Sequence, residues 1–255
     1  MIDTVLFDLD QTLLPYADFE RFGECLFASF VECFADRMRP DLFMPAFMKG
    51  VEAMDANRRS GPTNTEAFGG AFCPMAGLSP EVAKEAFAEF YATWFPGLRE
   101  HTRPSPEARP LLTWLLAHGY RIAIATGFQT SLAGLEERLR WADVPISDFP
   151  YSFLPTADNM HASKPHPEYY EEILEHLGRR PHQCLMVGDG WGEDIVSPAS
   201  IGIFAYWVND GCETPADRPR LLLGQGTLSD FRRWLAQGGL QAAGGVELAQ
   251  APVTH

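Results

Sequence analysis

Apolar residues along the chain fall into two patterns. Unbroken runs of strand formers occur at "TVLFDLD" (4–10), "YRIAIATG" (120–127), "QCLMVGDG" (183–190) and "GIFAYWV" (202–208). Such runs suit parallel strands buried on both faces. Between them the spacing is helical. "SPEARPLLTWLLAHG" (105–119) has Ser105 as N-cap, Pro106 at the first helical position and Gly119 as the stop. In "TSLAGLEERLRWADV" (130–144), Leu132, Leu135 and Leu139 share one face. "HPEYYEEILEHLG" (166–178) turns Tyr170, Ile173, Leu174 and Leu177 inward and ends at Gly178. A short strand is expected at "YSFLPT" (151–156) and a closing helix at "LSDFRRWLAQ" (228–237). Alternation of strand and helix from about Arg103 onward predicts an α/β fold, a parallel sheet with helices on both faces.

Residues 15–103 read differently. "FERFGECLFASFVECFADRM" (19–38) and "SPEVAKEAFAEFYATWF" (79–95) are helical in spacing, while "NRRSGPTNTEAFGGAFCPMAGLSP" (57–80) reads as a loop punctuated by Gly and Pro. The expected organisation is a core of 1–14 and 104–235, a helical insert of 15–103, and a flexible Gly/Ala/Gln-rich tail of 236–255.

Charge narrows the possible functions. A formal net charge of −14 over 255 residues argues against nucleic acid as a partner and opposes adhesion to anionic lipid. An anionic substrate needs a local cationic pocket to overcome that field. The five cysteines are scattered, with no Cys-x-x-Cys pair, which fits reduced thiols and a cytoplasmic location. Neither a signal peptide nor a membrane span is expected.

The candidate chemistry sits at strand ends. Asp8 and Asp10 close the first run, Thr126 and Gly127 the second, and Asp189 the third, with Asp194 five residues on. Lys164 precedes the helix at 166–178. Aspartate is a common turn residue, so Asp8 and Asp10 alone mean little. Ligands of doubly wound sheets, however, gather at the carboxyl ends of the strands. There, acids, a hydroxyl and an ammonium converge.

Taken in order, Asp8-x-Asp10-x-Thr12, Thr126, Lys164-Pro165 and Gly188-Asp189 with Asp194 resemble the four motifs of the haloacid dehalogenase-like hydrolases. The insert is similar to that family's helical cap, and the fold that the resemblance implies is a Rossmann-like parallel sheet core with this cap above its active edge. The resemblance implies Asp8 as nucleophile and Asp10 as general acid and base. It implies Mg²⁺ held by Asp8, the Asp10 carbonyl and Asp189, with Asp194 and Thr12 supporting. Thr126, Gly127 and Lys164 would bind the phosphoryl group. A carboxylate at position 10 favours hydrolysis of a small phosphorylated metabolite through an aspartyl-phosphate, because a departing halide needs no proton. A phosphomutase, a dehalogenase and a non-catalytic metabolite-binding member are the alternatives. Substrate and oligomeric state are not legible. Gln11 stands where the family most often has glycine, and its side chain either shapes the pocket or faces solvent. Pro198 suggests that the helix after Asp194 starts late, with Ser197 as its cap. Arg58 and Arg59 read as a solvated pair, and His161 and His166 as bystanders of Lys164. Trp191 either lines the cleft or covers the sheet edge.

Overall fold

The structure, a computed structural model, describes residues 1–127 and 129–243. Its centre is a parallel five-stranded sheet in the order β2-β1-β3-β4-β5. The strands are β1 (Thr4–Phe7), β2 (Arg121–Ile124), β3 (Cys184–Gly188), β4 (Phe204–Val208) and β5 (Leu222–Gly226). Four of them coincide with the apolar runs. β5 was not expected, since "LLGQG" is too short and glycine-rich to stand out. The strand expected at 151–156 shrinks to a single bridge, in which Phe153 pairs with Ala123 beside β2.

Each strand sends alternate residues to opposite faces. Val5, Phe7, Ile122, Ile124, Leu185 and Val187 meet α5 (Ala108–Ala117), α6 (Leu132–Trp141) and α9 (Leu228–Ala236) in one apolar cluster. Leu6, Ala123 and Met186 meet α7 (Pro167–Leu177), whose Tyr170, Ile173, Leu174 and Leu177 are buried as their spacing implies. The α6 stripe is narrower than expected: Leu135 and Leu139 are buried, whereas Leu132, at the first turn, is exposed. α5 begins at Ala108, later than the Ser105 cap suggests, because the Ser105 hydroxyl holds the Glu107 amide in a turn first. A short α10 (Gly239–Ala243) follows α9 and buries Leu240. The rest of the expected tail, 244–255, lies outside the described residues.

Between β1 and β2 run α1 (Phe19–Phe34), α2 (Pro40–Ala56), α3 (Asn64–Ala76) and α4 (Pro80–Glu89), then a π-turn and a 3₁₀ segment to His101. Their shared core is aromatic: the Phe30 and Phe90 rings stack at 3.7 Å, with Phe34, Phe43 and Phe72 around them. α3 corrects the loop reading of 57–80. Gly69, Gly70 and Pro74 look like breakers, but Thr63 and Glu66 form a reciprocal capping box that starts the helix, and Gly77 at φ 69° ends it. α3 then packs on α2 at Gly50, where any Cβ would collide with the Phe68 ring.

Candidate active site

Hydrogen bonds pin the first three strand tips side by side. Asp8 N–H donates to the Val187 carbonyl (2.9 Å), and Ala125 N–H to that of Phe7 (2.7 Å). Beyond Asp8 the chain doubles back through Gln11 N–H to Leu14 O (2.9 Å) and Leu14 N–H to Leu9 O (2.8 Å). Gln11 sits at φ 62°, a left-handed conformation that costs a non-glycine residue about 1 kcal/mol. Its side chain offsets this by accepting the Tyr16 N–H at 2.9 Å. Gln11 is exposed, as one of its two expected placements has it, and its side chain also clamps the turn.

Lys164, brought in just ahead of α7, donates to Asp8 Oδ1 (2.8 Å) and Asp194 Oδ1 (2.5 Å). All three side chains are almost fully buried. Burial alone would strip the ammonium of its proton, but Asp194 and Asp8 hold its pKa well above the usual lysine range. Burial pushes the Asp8 carboxyl up; Lys164 opposes this, while Asp194 and Asp10 add to it. The charged ammonium is the direction that stands, because a neutral amine would leave two buried carboxylates uncompensated.

Asp194 is fully engaged. Its Oδ2 accepts the Gly190 N–H (2.9 Å), and its Oδ1 also accepts from the Tyr170 hydroxyl (3.3 Å). It lies in a π-turn, Trp191–Val196, that runs directly into α8 (Ser197–Ser200). The α-helix proper thus starts at Ser197, as late as Pro198 suggests, but Ser197 is its first residue and not its cap, because the π-turn before it is already helical. Ser197 N–H reaches back to Gly192 O, and the next carbonyl, Glu193 O, would be served by residue 198, a proline without an N–H. The Tyr170 hydroxyl takes that place at 2.8 Å. Trp191 packs edge-on against Trp207, whose indole N–H donates to Asp189 O at 2.9 Å.

Asp189 accepts from the Thr12 hydroxyl (3.3 Å). Desolvation, with Asp194 adding to it, pushes the Asp189 carboxyl up to about 6. Carboxylate oxygens of Asp8, Asp189 and Asp194 all lie within 4.8 Å of one another. Three acids facing one ammonium leave an excess of negative charge and a set of hard oxygen donors, which suits a divalent cation.

Asp10 is held separately. Arg138 Nη1 donates to its Oδ2 (2.5 Å), Thr126 Oγ1 to the same oxygen (3.2 Å), and the Tyr16 hydroxyl to its Oδ1 (2.6 Å). Gly127 borders Lys164: a Cβ there would lie 3.5 Å from the lysine stem. Asp8, Asp10, Thr12, Thr126, Gly127, Lys164, Asp189 and Asp194 thus gather at one sheet edge. Arg138 and Tyr16 were missed. A signal existed for Arg138, which shares the buried face of Leu135, Leu139 and Ala142 at helical spacing. A charge on that stripe calls for a partner.

The other candidates act as braces. Arg59 is paired with Glu171 and Glu175 of α7, and Arg58 meets His166 Nδ1 at 3.2 Å, so neither arginine is simply solvated. His161 Nδ1 meets buried Glu172 at 2.6 Å. Asn64 ties α3 to Gln129 Oε1 (2.6 Å) and Ala162 O (3.0 Å).

A parallel sheet with an acid cluster and a buried lysine at its carboxyl edge is a Rossmann-like α/β fold with its candidate site where such sheets bind ligands. The haloacid dehalogenase-like hydrolase family model matches residues 2–202, and the chain belongs to that family. It is 30% identical over 107 residues to a glyceraldehyde 3-phosphate phosphatase of Methanothermobacter thermautotrophicus, a match covering 42% of this chain and 45% of that one. The pyrophosphatase PpaX of Halalkalibacterium halodurans is 24% identical over 79% of this chain and 81% of its own length. The fold matches a HAD phosphatase from Thermococcus onnurineus with a TM-score of 0.55, at 21% identity over 92% of this chain and 98% of that one. It also matches a 2-haloacid dehalogenase from Pseudomonas syringae pv. Tomato with a TM-score of 0.56, at 22% identity over 93% and 100%.

Proposed function

We propose that the protein is a phosphatase hydrolysing small phosphate monoesters through an aspartyl-phosphate on Asp8. The observation that carries this reading is the pairing of two differently held acids. Asp8 is buried against Lys164, and Asp10 stands two residues on, within hydrogen-bond reach of Thr126. An alkoxide leaving group needs a proton, so a second acid suits a phosphate ester better than a halide. Relatives named as phosphatases support the same class.

In the first step an Asp8 oxygen forms a bond to phosphorus, the ester P–O bond breaks, and the departing oxygen takes a proton from Asp10. In the second, Asp10 takes a proton from water as that water's oxygen bonds phosphorus and the Asp8–phosphorus bond breaks. Thr126, Gly127 N–H and Lys164 hold the phosphoryl oxygens, and the Lys164 charge offsets repulsion between Asp8 and an anionic substrate. Asp8, Asp189 and the Asp10 carbonyl would hold Mg²⁺, with Thr12 and Asp194 in support. When bound, the ion neutralises charge between carboxylate and phosphate. The helices of 15–103 serve as the cap that excludes bulk water, supported by the Asn64 and Arg59 ties to the core.

Purified protein should release nitrophenol from 4-nitrophenyl phosphate with Mg²⁺ and stop in chelator, and Asp8→Asn should be inactive. Full turnover by Asp8→Asn, or release of halide from a haloacid without any phosphatase activity, would overturn the reading.

A further inference from the structure

Arg138 is fully buried in α6, on the stripe that faces the core, and its guanidinium ends on Asp10. A buried charge of this kind is costly unless it is paired with good geometry. The Asp10 carboxylate meets three donors from three parts of the chain: Arg138 of α6, Thr126 after β2, and Tyr16 in the link between β1 and α1. Tyr16 is itself fixed: its amide is bound by Gln11, and its ring lies against Phe22 (4.5 Å) and Phe19 (5.3 Å) of α1.

We infer that Arg138, together with Tyr16, is a positioning residue that sets the plane of the Asp10 carboxyl and the direction in which each of its oxygens faces. This inference rests on the phosphatase reading above. The chemistry of the donors makes the assignment. A guanidinium is a rigid fork of donors, so Arg138 fixes the oxygen that faces it, Oδ2. A phenolic hydroxyl donates to a carboxylate and, after rotating, accepts from a carboxylic acid. Oδ1, on the Tyr16 side, is therefore the oxygen that a single rotatable hydroxyl holds and that is placed to serve the reacting group. Fixing a carboxyl against rotation matters here because general acid–base catalysis needs the reacting proton within hydrogen-bond reach. Gln11, the residue in the left-handed turn, contributes by holding Tyr16.

A purely structural ion pair would slow all substrates alike, whereas a positioning role depends on the leaving group. Nitrophenolate departs without help from an acid, but phenolate and alkoxides do not. The experiment compares 4-nitrophenyl phosphate and phenyl phosphate as substrates for the full-length parent, Arg138→Met, Arg138→Lys and Tyr16→Phe, with Mg²⁺. In Arg138→Met the kcat on phenyl phosphate should fall about a hundredfold, and by at least about tenfold less on the nitrophenyl ester. On the nitrophenyl ester the variant should show a rapid burst of about one product per chain, because hydrolysis of the intermediate still needs Asp10. Arg138→Lys should recover part of the loss. Tyr16→Phe, which removes one oxygen and leaves the ion pair intact, should show the same leaving-group dependence at a smaller size, and it carries the test if Arg138→Met does not fold. Folded variants that lose both substrates equally without a burst, or lose neither, overturn the inference alone. A parent inactive on both esters overturns the phosphatase reading and this inference with it.

Discussion

Lys164→Met isolates the charge at the centre of the site. The methionine keeps most of the lysine stem and removes only the ammonium that bridges Asp8 and Asp194 at 2.8 and 2.5 Å. The three side chains are 1%, 8% and 2% exposed, so water does little to screen what is left behind. Removing one partner from a buried ion pair costs about 3–5 kcal/mol. In a chain of this size each kcal/mol is worth about 2–4 °C, so the metal-free variant should melt about 6–20 °C below the parent. Scanning calorimetry in chelator at pH 7.5 measures this directly. The gap should narrow as pH falls. The Asp8 carboxyl, already raised by burial, loses the Lys164 charge that opposes that rise, so the folded variant binds more protons than the unfolded chain and gains stability toward acid pH. Mg²⁺ should also return part of the loss, since it supplies positive charge to the same carboxylates. A variant melting within about 2 °C of the parent in chelator would refute the argument that Lys164 neutralises the cluster.

The Asp189 carboxyl, pushed up to about 6, must lose its proton to solvent before it can hold a cation, so Mg²⁺ should raise the melting temperature more at pH 7.5 than at pH 5. Equal shifts at the two pH values would contradict this. Gly188→Ala places a methyl on the Asp194 carboxyl, and overpacking there should cost about 1–3 kcal/mol in urea unfolding and lower turnover along with it. Unchanged stability would show that Asp194 has room to move. Gln11→Gly and Gln11→Ala both lose the bond to the Tyr16 amide, but only glycine relieves the left-handed backbone, so the glycine variant should be the more stable by about 1 kcal/mol. An alanine variant as stable as the glycine one would contradict the assignment of strain.

The parts legible in the sequence were those where one residue type does one job locally. Strands buried on both faces read as apolar runs, and α7 reads from its spacing and Gly178. The convergence of Asp8, Thr126 and Asp189 reads from their place at strand ends, and that of Lys164 from its place just ahead of α7. What escaped depends on distant partners. α3 looked like a loop because Gly69, Gly70 and Pro74 outweighed a capping box whose two halves must find each other. β5 exists because β4 offers it an edge to pair with. Pro198 seemed to delay a helix, yet the π-turn before it survives because Tyr170 of α7 serves the carbonyl that a proline cannot. Arg138 was passed over as one more arginine in a charged helix, and only the fold shows that it ends on Asp10.

The central claim is that Asp8 becomes phosphorylated during turnover. Acid quench during hydrolysis of a phosphate ester, followed by borohydride reduction, converts an aspartyl-phosphate to homoserine, which peptide mass mapping locates. The account predicts homoserine at position 8 and at no other aspartate. Active enzyme that yields none, or yields it at Asp10, would contradict it.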